Sequence, residues 1–222
     1  MKRKRETEKR TELSSAIEEL SMLAKVDIPA GENLTTTHIP TKPFLHVCTL
    51  ILQVLDKIGP TMAVLRQDIY QNIQRLEILC ESDPAKYSNL IEVLKKEESE
   101  GNARKNSSCS KAFLWLTRSM DFMVALLQRL VKDPWQNMEQ VVEESYNLTL
   151  KPWHGWISSA AFKVALKLVP DNKTFVSLLM TKDQSSGNLK EDMQTLISLL
   201  VPILEEHHSI LKFYRLDRLK ST

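Results

Sequence analysis

The chain has 222 residues, of which 42% are hydrophobic, and 30 basic against 28 acidic residues give a net charge of +2. These values are typical of a single globular domain and exclude a disordered chain or a strongly basic nucleic-acid binder. No apolar run approaches the ~18 residues of a membrane span, and the charged N-terminal residues lack the apolar core of a signal peptide. Three cysteines show no zinc or disulfide spacing, so we expect reduced thiols and a cytoplasmic protein.

Residues 1–40 are predicted to form an N-terminal extension that is partly flexible, and residues 41–222 the main domain. A helical pattern from Leu13 to Lys25 lies between a charged run and a segment with proline, glycine and three consecutive threonines, which breaks it. The basic cluster at the start is typical of a solvated tail. Docking on anionic lipid and a nuclear address remain alternatives, which two interspersed glutamates weaken.

The main domain is predicted to be all-α. Apolar residues recur at spacings of three, four and seven, prolines and glycines separate the segments, and alternating strand patterns are missing. Eight helices are expected, at about 44–58, 61–80, 84–101, 111–131, 136–151, 156–168, 172–181 and 189–217. The helix at 111–131 is apolar around most of its circumference, so it should be central and buried on several sides.

Three polar residues, Asp68, Asn72 and Arg75, share one stripe of the helix at 61–80. At 100° per residue they fall within about 60° of arc. An apolar stripe runs beside them and consists of Met62, Leu65, Ile69, Ile73 and Leu76. This pattern fits a solvated surface with a weak ion pair, and it also fits hydrogen-bonding groups at the mouth of an apolar cavity.

Tryptophans are the other informative residues. Trp115 lies in the apolar helix, where it fits either a core aromatic or a pocket wall that stacks on a sugar ring. In the Trp153-His154-Gly155-Trp156 segment, two tryptophans flank a histidine where a loop meets a helix, which suits a membrane interface or a core anchor. Catalytic signatures such as GxSxG, a P-loop or HExxH are missing.

Four motifs, in order, resemble the glycolipid transfer protein family. They are DIYQNIQR from Asp68, DPAKY from Asp83, FLWLTR from Phe113 and WHGWI from Trp153, within a resemblance that runs from about Pro43 to Tyr214. The resemblance implies a two-layer all-α sandwich of about eight helices enclosing an apolar lipid cavity. It also implies non-enzymatic transfer of a sphingolipid between membranes, with no cofactor or metal.

The resemblance also implies roles for individual residues. Asp68 would accept hydrogen bonds from sugar hydroxyls and from the ceramide amide N–H, and Asn72 would bond to sugar hydroxyls. Arg75 matches a position where glycolipid-binding members usually carry lysine, which keeps the charge but changes the donor geometry. Trp115 would stack beneath the first sugar, and His154 would donate to the ceramide amide carbonyl.

The chain departs from the family pattern at Lys111, one turn before Trp115. Glycolipid-binding members tend to have an apolar residue there and the ceramide-phosphate branch an arginine, while the second arginine of that branch would replace Trp115. Tryptophan at position 115 favours a neutral sugar, while Lys111 is also compatible with a partly charged headgroup. Since residues after Tyr214 do not match the tyrosine that glycolipid-binding members use near the C-terminus, we expect a glycosylceramide with a simple sugar.

Docking on membranes should be transient, through Trp153 and Trp156 with nearby Lys151 and Lys163. The protein is expected to act as a monomer whose partners are a glycosphingolipid and a membrane surface, without nucleic acid. A sphingolipid sensor or regulator and a carrier of ceramide phosphate are the alternatives. A hydrolase is disfavoured because no nucleophile constellation is evident.

Overall fold

The computed structural model describes residues 11–24, 38–180 and 186–221, and these residues form ten α-helices and no β-strand. The all-α prediction is therefore confirmed. The helices are α1 Glu12–Ala24, α2 Thr41–Ile58, α3 Ala63–Ser82, α4 Pro84–Tyr87, α5 Leu90–Ser99, α6 Cys109–Lys132, α7 Met138–Thr149, α8 Trp156–Leu166, α9 Asn172–Leu179 and α10 Ser186–Phe213. A short 3₁₀ turn, Pro60–Met62, leads into α3.

The single helix predicted at 84–101 is divided into α4 and α5. Asn89 causes the division, because its Oδ1 accepts a hydrogen bond from the backbone N–H of Ile91 and caps the second helix. The same oxygen accepts from the backbone N–H of Ile39, 3.0 Å away. One asparagine thus ties the chain before α2 to the start of α5.

Helix α6 is central, as its apolar pattern predicted. It packs against α3, α5, α7 and α10, while α1, α2, α3, α6 and α10 form a closed circuit in which each helix contacts the next. Large side chains of α6 are almost completely buried in the core, namely Phe113, Leu114, Leu116 and Met120. Complete burial of such a side chain contributes about 1.5–3 kcal/mol each, so this helix organises the fold.

Part of the predicted N-terminal extension is packed into this core. Helix α1 lies against α2 and α10 and buries Leu13, Ala16 and Leu20. The helix expected from Leu13 to Lys25 is therefore present and packs against the main domain. Residues 1–10 and 25–37 of the extension lie outside the described residues. A domain boundary at residue 41 remains a prediction.

The interior is occupied by apolar side chains that form one continuous cluster. A cleft of about 350 Å³ opens between α6, α7, α10 and Trp153, at the small end of the range for pockets that hold small ligands. An enclosed cavity for lipid chains remains a prediction. Within the described ranges, no helix is both long and apolar enough to cross a bilayer.

Candidate functional site

The polar stripe of α3 lies at the edge of the core. Ile69 and Ile73 are buried beside it, but Leu65 is 40% exposed, so the predicted apolar stripe is interrupted at its start. Asp68 is exposed, whereas Asn72 is buried to 8% exposure and its Nδ2 donates to the backbone oxygen of Asp68 at 3.0 Å. One donor of the Asn72 amide is thus used inside the helix.

Asp68 lies in a recess, although solvent reaches it. Burial raises the pKa of its carboxyl group, and the attraction of the Arg75 charge lowers that pKa by a smaller amount. A side chain that is accessible and yet partly desolvated is surrounded by protein on most sides. Such a carboxylate is a candidate for binding a ligand.

Arg75 and Lys111 meet at the loop before α6. Arg75 Nη1 donates to the backbone oxygens of Ser108 and Asn106 at 3.3 and 3.4 Å, and Lys111 Nζ donates to Asn106 Oδ1. Burial lowers the pKa of Lys111, and the nearby Arg75 charge lowers it further. Two cations from different helices therefore stand on one side of the site.

Trp115 lies one turn after Lys111 on the same face of α6. Helix α6 begins at Cys109 because Ser108 caps it: Ser108 Oγ accepts a hydrogen bond from the backbone N–H of Lys111 at 3.0 Å. The indole is only half-buried, and its centroid is 5.6 Å from the imidazole centroid of His154. The fold therefore brings together two predicted site residues that are far apart in sequence.

The loop between α7 and α8 holds His154, whose Nδ1 is 3.2 Å from the hydroxyl oxygen of Tyr146. The same hydroxyl oxygen lies 3.3 Å from Ser159 Oγ, and the Tyr146 ring stacks on Phe162 with centroids 3.5 Å apart. Burial lowers the pKa of His154, and the Arg118 charge lowers it further, so both favour the neutral imidazole. Among the described residues Nε2 has no hydrogen-bond partner, which leaves it free for a ligand.

Arg118 packs against the two tryptophans beside His154. We did not predict it as a site residue from the sequence. It is 2% exposed, and its guanidinium donates to the backbone oxygens of Leu219 and Asp217 at 2.7 and 2.8 Å. The same group lies over the rings of Trp153 and Trp115, at 4.2 and 4.9 Å from their centroids. The position of Arg118 in the most apolar predicted helix could have identified it, because a buried charge requires hydrogen-bond or ionic partners.

The C-terminal segment completes the loop. Ser221 Oγ accepts from the backbone N–H of Gly155 at 3.0 Å and lies 2.9 Å from Ser158 Oγ. The backbone N–H of Ser221 donates to the oxygen of Trp153 at 2.9 Å. Gly155 precedes α8 and has no side chain with which to cap it, so Ser221 supplies a polar group at that helix start.

Helix α8 leaves most of its side chains in solvent. Leu166 is its one buried residue, while Trp156 is 80% exposed and Ile157 and Val164 are also exposed. Trp156 therefore points away from the cluster around Trp115 and His154. Trp153, which was paired with it as a predicted membrane contact, is instead half-buried under Arg118.

Metal ligation finds no support in the described part of the chain, where no group of three or more His, Cys, Asp and Glu side chains could hold an ion. The predicted site residues instead form two adjoining clusters. Arg75 and Lys111 contact the loop before α6, and the Arg75 charge acts on Asp68, while Trp115, one turn after Lys111, lies beside His154. Side chains of these types can form hydrogen bonds and stacking contacts with a polar ligand.

An all-α domain with this polar cluster at the edge of its core is consistent with a protein that binds an amphipathic ligand. The family model for glycolipid transfer protein matches residues 39–181. Glycolipid transfer protein 3 of Arabidopsis thaliana is 61% identical over 232 aligned residues that cover all of both chains. The chain therefore belongs to the glycolipid transfer protein family.

Solved structures share the fold. One, reported under the heading of how FAPP2 selects simple glycosphingolipids using the GLTP-fold, has a TM-score of 0.78 at 26% identity and covers 96% of this chain and 100% of its own. An Arabidopsis ACD11 variant complexed with C12 ceramide-1-phosphate has a TM-score of 0.80 at 18% identity, covering 94% of this chain and 98% of its own. At that identity the second likeness concerns the fold alone.

Proposed function

We propose that this protein carries sphingolipids with a simple sugar headgroup, most simply glycosylceramides, between membranes without chemical conversion. The observation that carries the proposal is the half-buried Trp115 ring, 5.6 Å from a neutral His154 and one turn from Lys111. The names of the Arabidopsis relative and of the FAPP2 structure, which refer to glycolipids and simple glycosphingolipids, support the same class of ligand.

Each group in the site suits one part of such a lipid. The exposed face of Trp115 offers a π surface to the C–H bonds of a sugar. An ionised Asp68 accepts several hydrogen bonds at once, from sugar hydroxyls and from an amide N–H. His154 Nε2 is the group we assign to the ceramide amide carbonyl, a role that requires the proton to be on Nε2 while Nδ1 accepts from Tyr146.

The hydrocarbon chains are assigned to the apolar side of α6 that continues from Trp115. Four and seven residues further on, Ser119 and Phe122 are only partly buried, unlike Phe113 and Leu116 on the other faces. Burial of each CH₂ group contributes ~0.8 kcal/mol, so the chains supply affinity while the polar groups supply selectivity. Their entry requires the side chains of this region to move apart.

Ceramide phosphate is a second candidate ligand. Arg75 and Lys111 both lie beside the site, and neither forms an ion pair within 4 Å among the described residues. Two neighbouring cations suit a phosphate group, although Arg75 also attracts the Asp68 carboxylate. Trp115 argues against it, because an indole carries no positive charge to neutralise that group.

Docking on a membrane is assigned to the exposed face of α8, which has Trp156, Ile157 and Val164 beside Lys163 and Lys167. Apolar side chains next to lysines are typical of helices that lie in a bilayer interface. We propose that the protein docks there transiently as a monomer, on the cytoplasmic side of the membrane. This arrangement would bring the His154 loop, which directly precedes α8, to the lipid surface.

The test is transfer of a glucosylceramide probe between vesicles, compared with a ceramide-1-phosphate probe. Asp68→Val should reduce glucosylceramide transfer at least ~10-fold, because buried lipid polar groups would lose their acceptor. Glu77→Val, an exposed carboxylate on the same helix, is the matched control and should transfer normally. Normal glucosylceramide transfer by a folded Asp68→Val protein would refute the assignment, and preferential transfer of ceramide-1-phosphate would replace it with the second candidate.

Stability separates loss of function from loss of fold in this test. Because burial raises the folded-state pKa of Asp68, the folded protein favours the protonated form, and ionisation of this group weakens folding as pH rises through that pKa. At pH 7 Asp68→Val should therefore unfold at the same or a higher denaturant concentration than the wild type. A fall in stability would show that Asp68 has a structural role.

A further inference from the structure

Trp135 is the most exposed large apolar side chain among the described residues, at 87%. It lies in the short connection between α6 and α7, which is held in place by hydrogen bonds. Its backbone N–H donates to Asp133 Oδ1 at 3.1 Å, and the N–H of Gln136 donates to the backbone oxygen of Asp133. With Pro134 as its neighbour, the tryptophan is presented on a constrained turn.

This turn lies beside the C-terminal end of α8. Asn172 Nδ2 donates to the backbone oxygen of Gln136 at 3.3 Å, and Lys167 pairs with Glu139 in the first turn of α7. Trp156 begins α8 at its other end. An eleven-residue helix is about 16 Å long, so two exposed tryptophans mark the two ends of α8.

The exposed surface between them is continuous. At 100° per residue, the exposed residues of α8 and its extension occupy one sector of about 160°. We call this sector the α8 face, and it consists of Trp156, Ile157, Ala160, Ala161, Lys163, Val164, Lys167 and Leu168. Lys163 and Lys167 lie at one border of the sector, and the remaining members are apolar. Because Lys167 contacts α7, Trp135 extends the face beyond that border.

Charges around Trp135 favour an anionic or zwitterionic surface. Asp133 accepts the backbone N–H of Trp135, and Glu139 is paired with Lys167. Asp171 accepts the backbone N–H of Thr174, which lowers its pKa. In contrast, three exposed lysines of this region form no ion pair within 4 Å among the described residues, namely Lys132, Lys163 and Lys173. In the described part of the chain Asp133 and Asp171 form no ion pair within 4 Å either, so these lysines attract phospholipid phosphate groups from a surface of mixed charge.

We propose that Trp135 is a second membrane anchor, which enters the headgroup region of a phospholipid bilayer together with the α8 face. This inference rests on the proposed membrane-docking step of lipid transfer. Tryptophan suits this position because its amphipathic ring is stabilised at the boundary between lipid and water. With Trp156 as its one anchor, the protein could tilt relative to the bilayer. A second anchor at Trp135 would hold α8 parallel to the bilayer surface and keep the His154 loop close to it.

Vesicle binding tests the proposal directly. Trp135→Ala should weaken sedimentation with phosphatidylcholine–phosphatidylserine vesicles by about fivefold, because an interfacial aromatic is lost. Ile78→Ala removes a side chain that is 66% exposed on α3 and serves as the matched control. It should bind vesicles like the wild type. Equal binding by Trp135→Ala and wild type would overturn the proposal, as would a changed oligomeric state of Trp135→Ala in solution with unchanged vesicle binding.

A fluorescent label reports on the position of residue 135 itself. Cys48, Cys80 and Cys109 are buried, and burial raises the pKa of Cys109 to about 12, so an exposed new cysteine should be labelled selectively. An environment-sensitive dye on Trp135→Cys should shift to shorter wavelength with vesicles, while the dye on Ile78→Cys should not. The absence of a shift at position 135 would overturn the proposal.

Different results would contradict the second membrane anchor and the proposed lipid-transfer function. If Trp156→Ala loses vesicle binding and Trp135→Ala does not, docking through α8 stands and the second anchor is wrong. If the wild type transfers neither glucosylceramide nor ceramide-1-phosphate, the proposed function itself is wrong. Binding of a short-chain glucosylceramide in solution should be unchanged in Trp135→Ala, since this residue lies outside the headgroup site, and a loss there would also contradict the anchor role.

Discussion

Two tryptophans three residues apart, Trp153 and Trp156, belong to opposite kinds of surface. Trp153 is half-buried under the Arg118 guanidinium, and its backbone oxygen is bonded by Ser221. Trp156 is 80% exposed, and its helix buries Leu166 alone. A surface that recognises a ligand needs side chains held by neighbours, whereas a docking surface needs apolar groups that are still free to meet another phase.

The wall around Trp115 and His154 is held by contacts from every side. Arg118 on α6, Tyr146 on α7 and the C-terminal segment all reach it. One side of α8 takes part in these contacts through Ser158, Ser159 and Phe162, and its other side is exposed. Side chains held by neighbours and side chains exposed to solvent thus lie within a few residues of each other. We therefore expect mutations around Trp115 and His154 to change stability and ligand binding, and mutations on the α8 face to change membrane binding.

Arg118→Met should have the largest effect in the wall. It removes two charge-assisted hydrogen bonds and two cation–π contacts, so we expect a loss of about 3 kcal/mol in the free energy of unfolding. Urea denaturation followed by tryptophan fluorescence measures this. Arg104→Met, at an exposed position, should change stability by less than about 0.5 kcal/mol. If the two variants were equally stable, the wall would not depend on Arg118.

Tyr146→Phe should have a smaller effect, on transfer and not on folding. The ring keeps its stacking on Phe162, but His154 Nδ1 loses its partner, which is worth about 0.5–1.5 kcal/mol and thus about a two- to tenfold loss of transfer rate. Tyr70→Phe removes a hydroxyl that is bonded by Gln74 and is the control. Equal transfer by both variants would show that Tyr146 does not position His154.

Ser221→Ala should have the smallest effect and tests the boundary between the two surfaces. Loss of the polar group at the start of α8 should cost about 0.5–1 kcal/mol. Hydrogen exchange of the Gly155 amide should become faster, while Ser177→Ala, at an exposed position on α9, should leave it unchanged. If the Gly155 amide were unaffected by Ser221→Ala, the C-terminal segment would not stabilise this helix start.

Local patterns predicted the helices well because the 3.6-residue period is a property of each segment alone. The central place of α6 followed from its apolar circumference, and the shared stripe of Asp68, Asn72 and Arg75 followed from their spacing. Errors arose where distant residues intervene. Asn89 separates α4 from α5, and its side-chain oxygen also accepts the backbone N–H of Ile39, 50 residues away.

The sequence by itself determined the all-α class, the family and the residue types available to bind a lipid headgroup. The tertiary structure decided which of them meet, because contacts between residues far apart in the chain have no local signature. The fold places the Trp115 ring beside His154, and it places the Arg118 guanidinium against backbone oxygens about a hundred residues later in the chain. Exposure also separated Trp153 from Trp156, since burial depends on what the rest of the chain packs against a side chain.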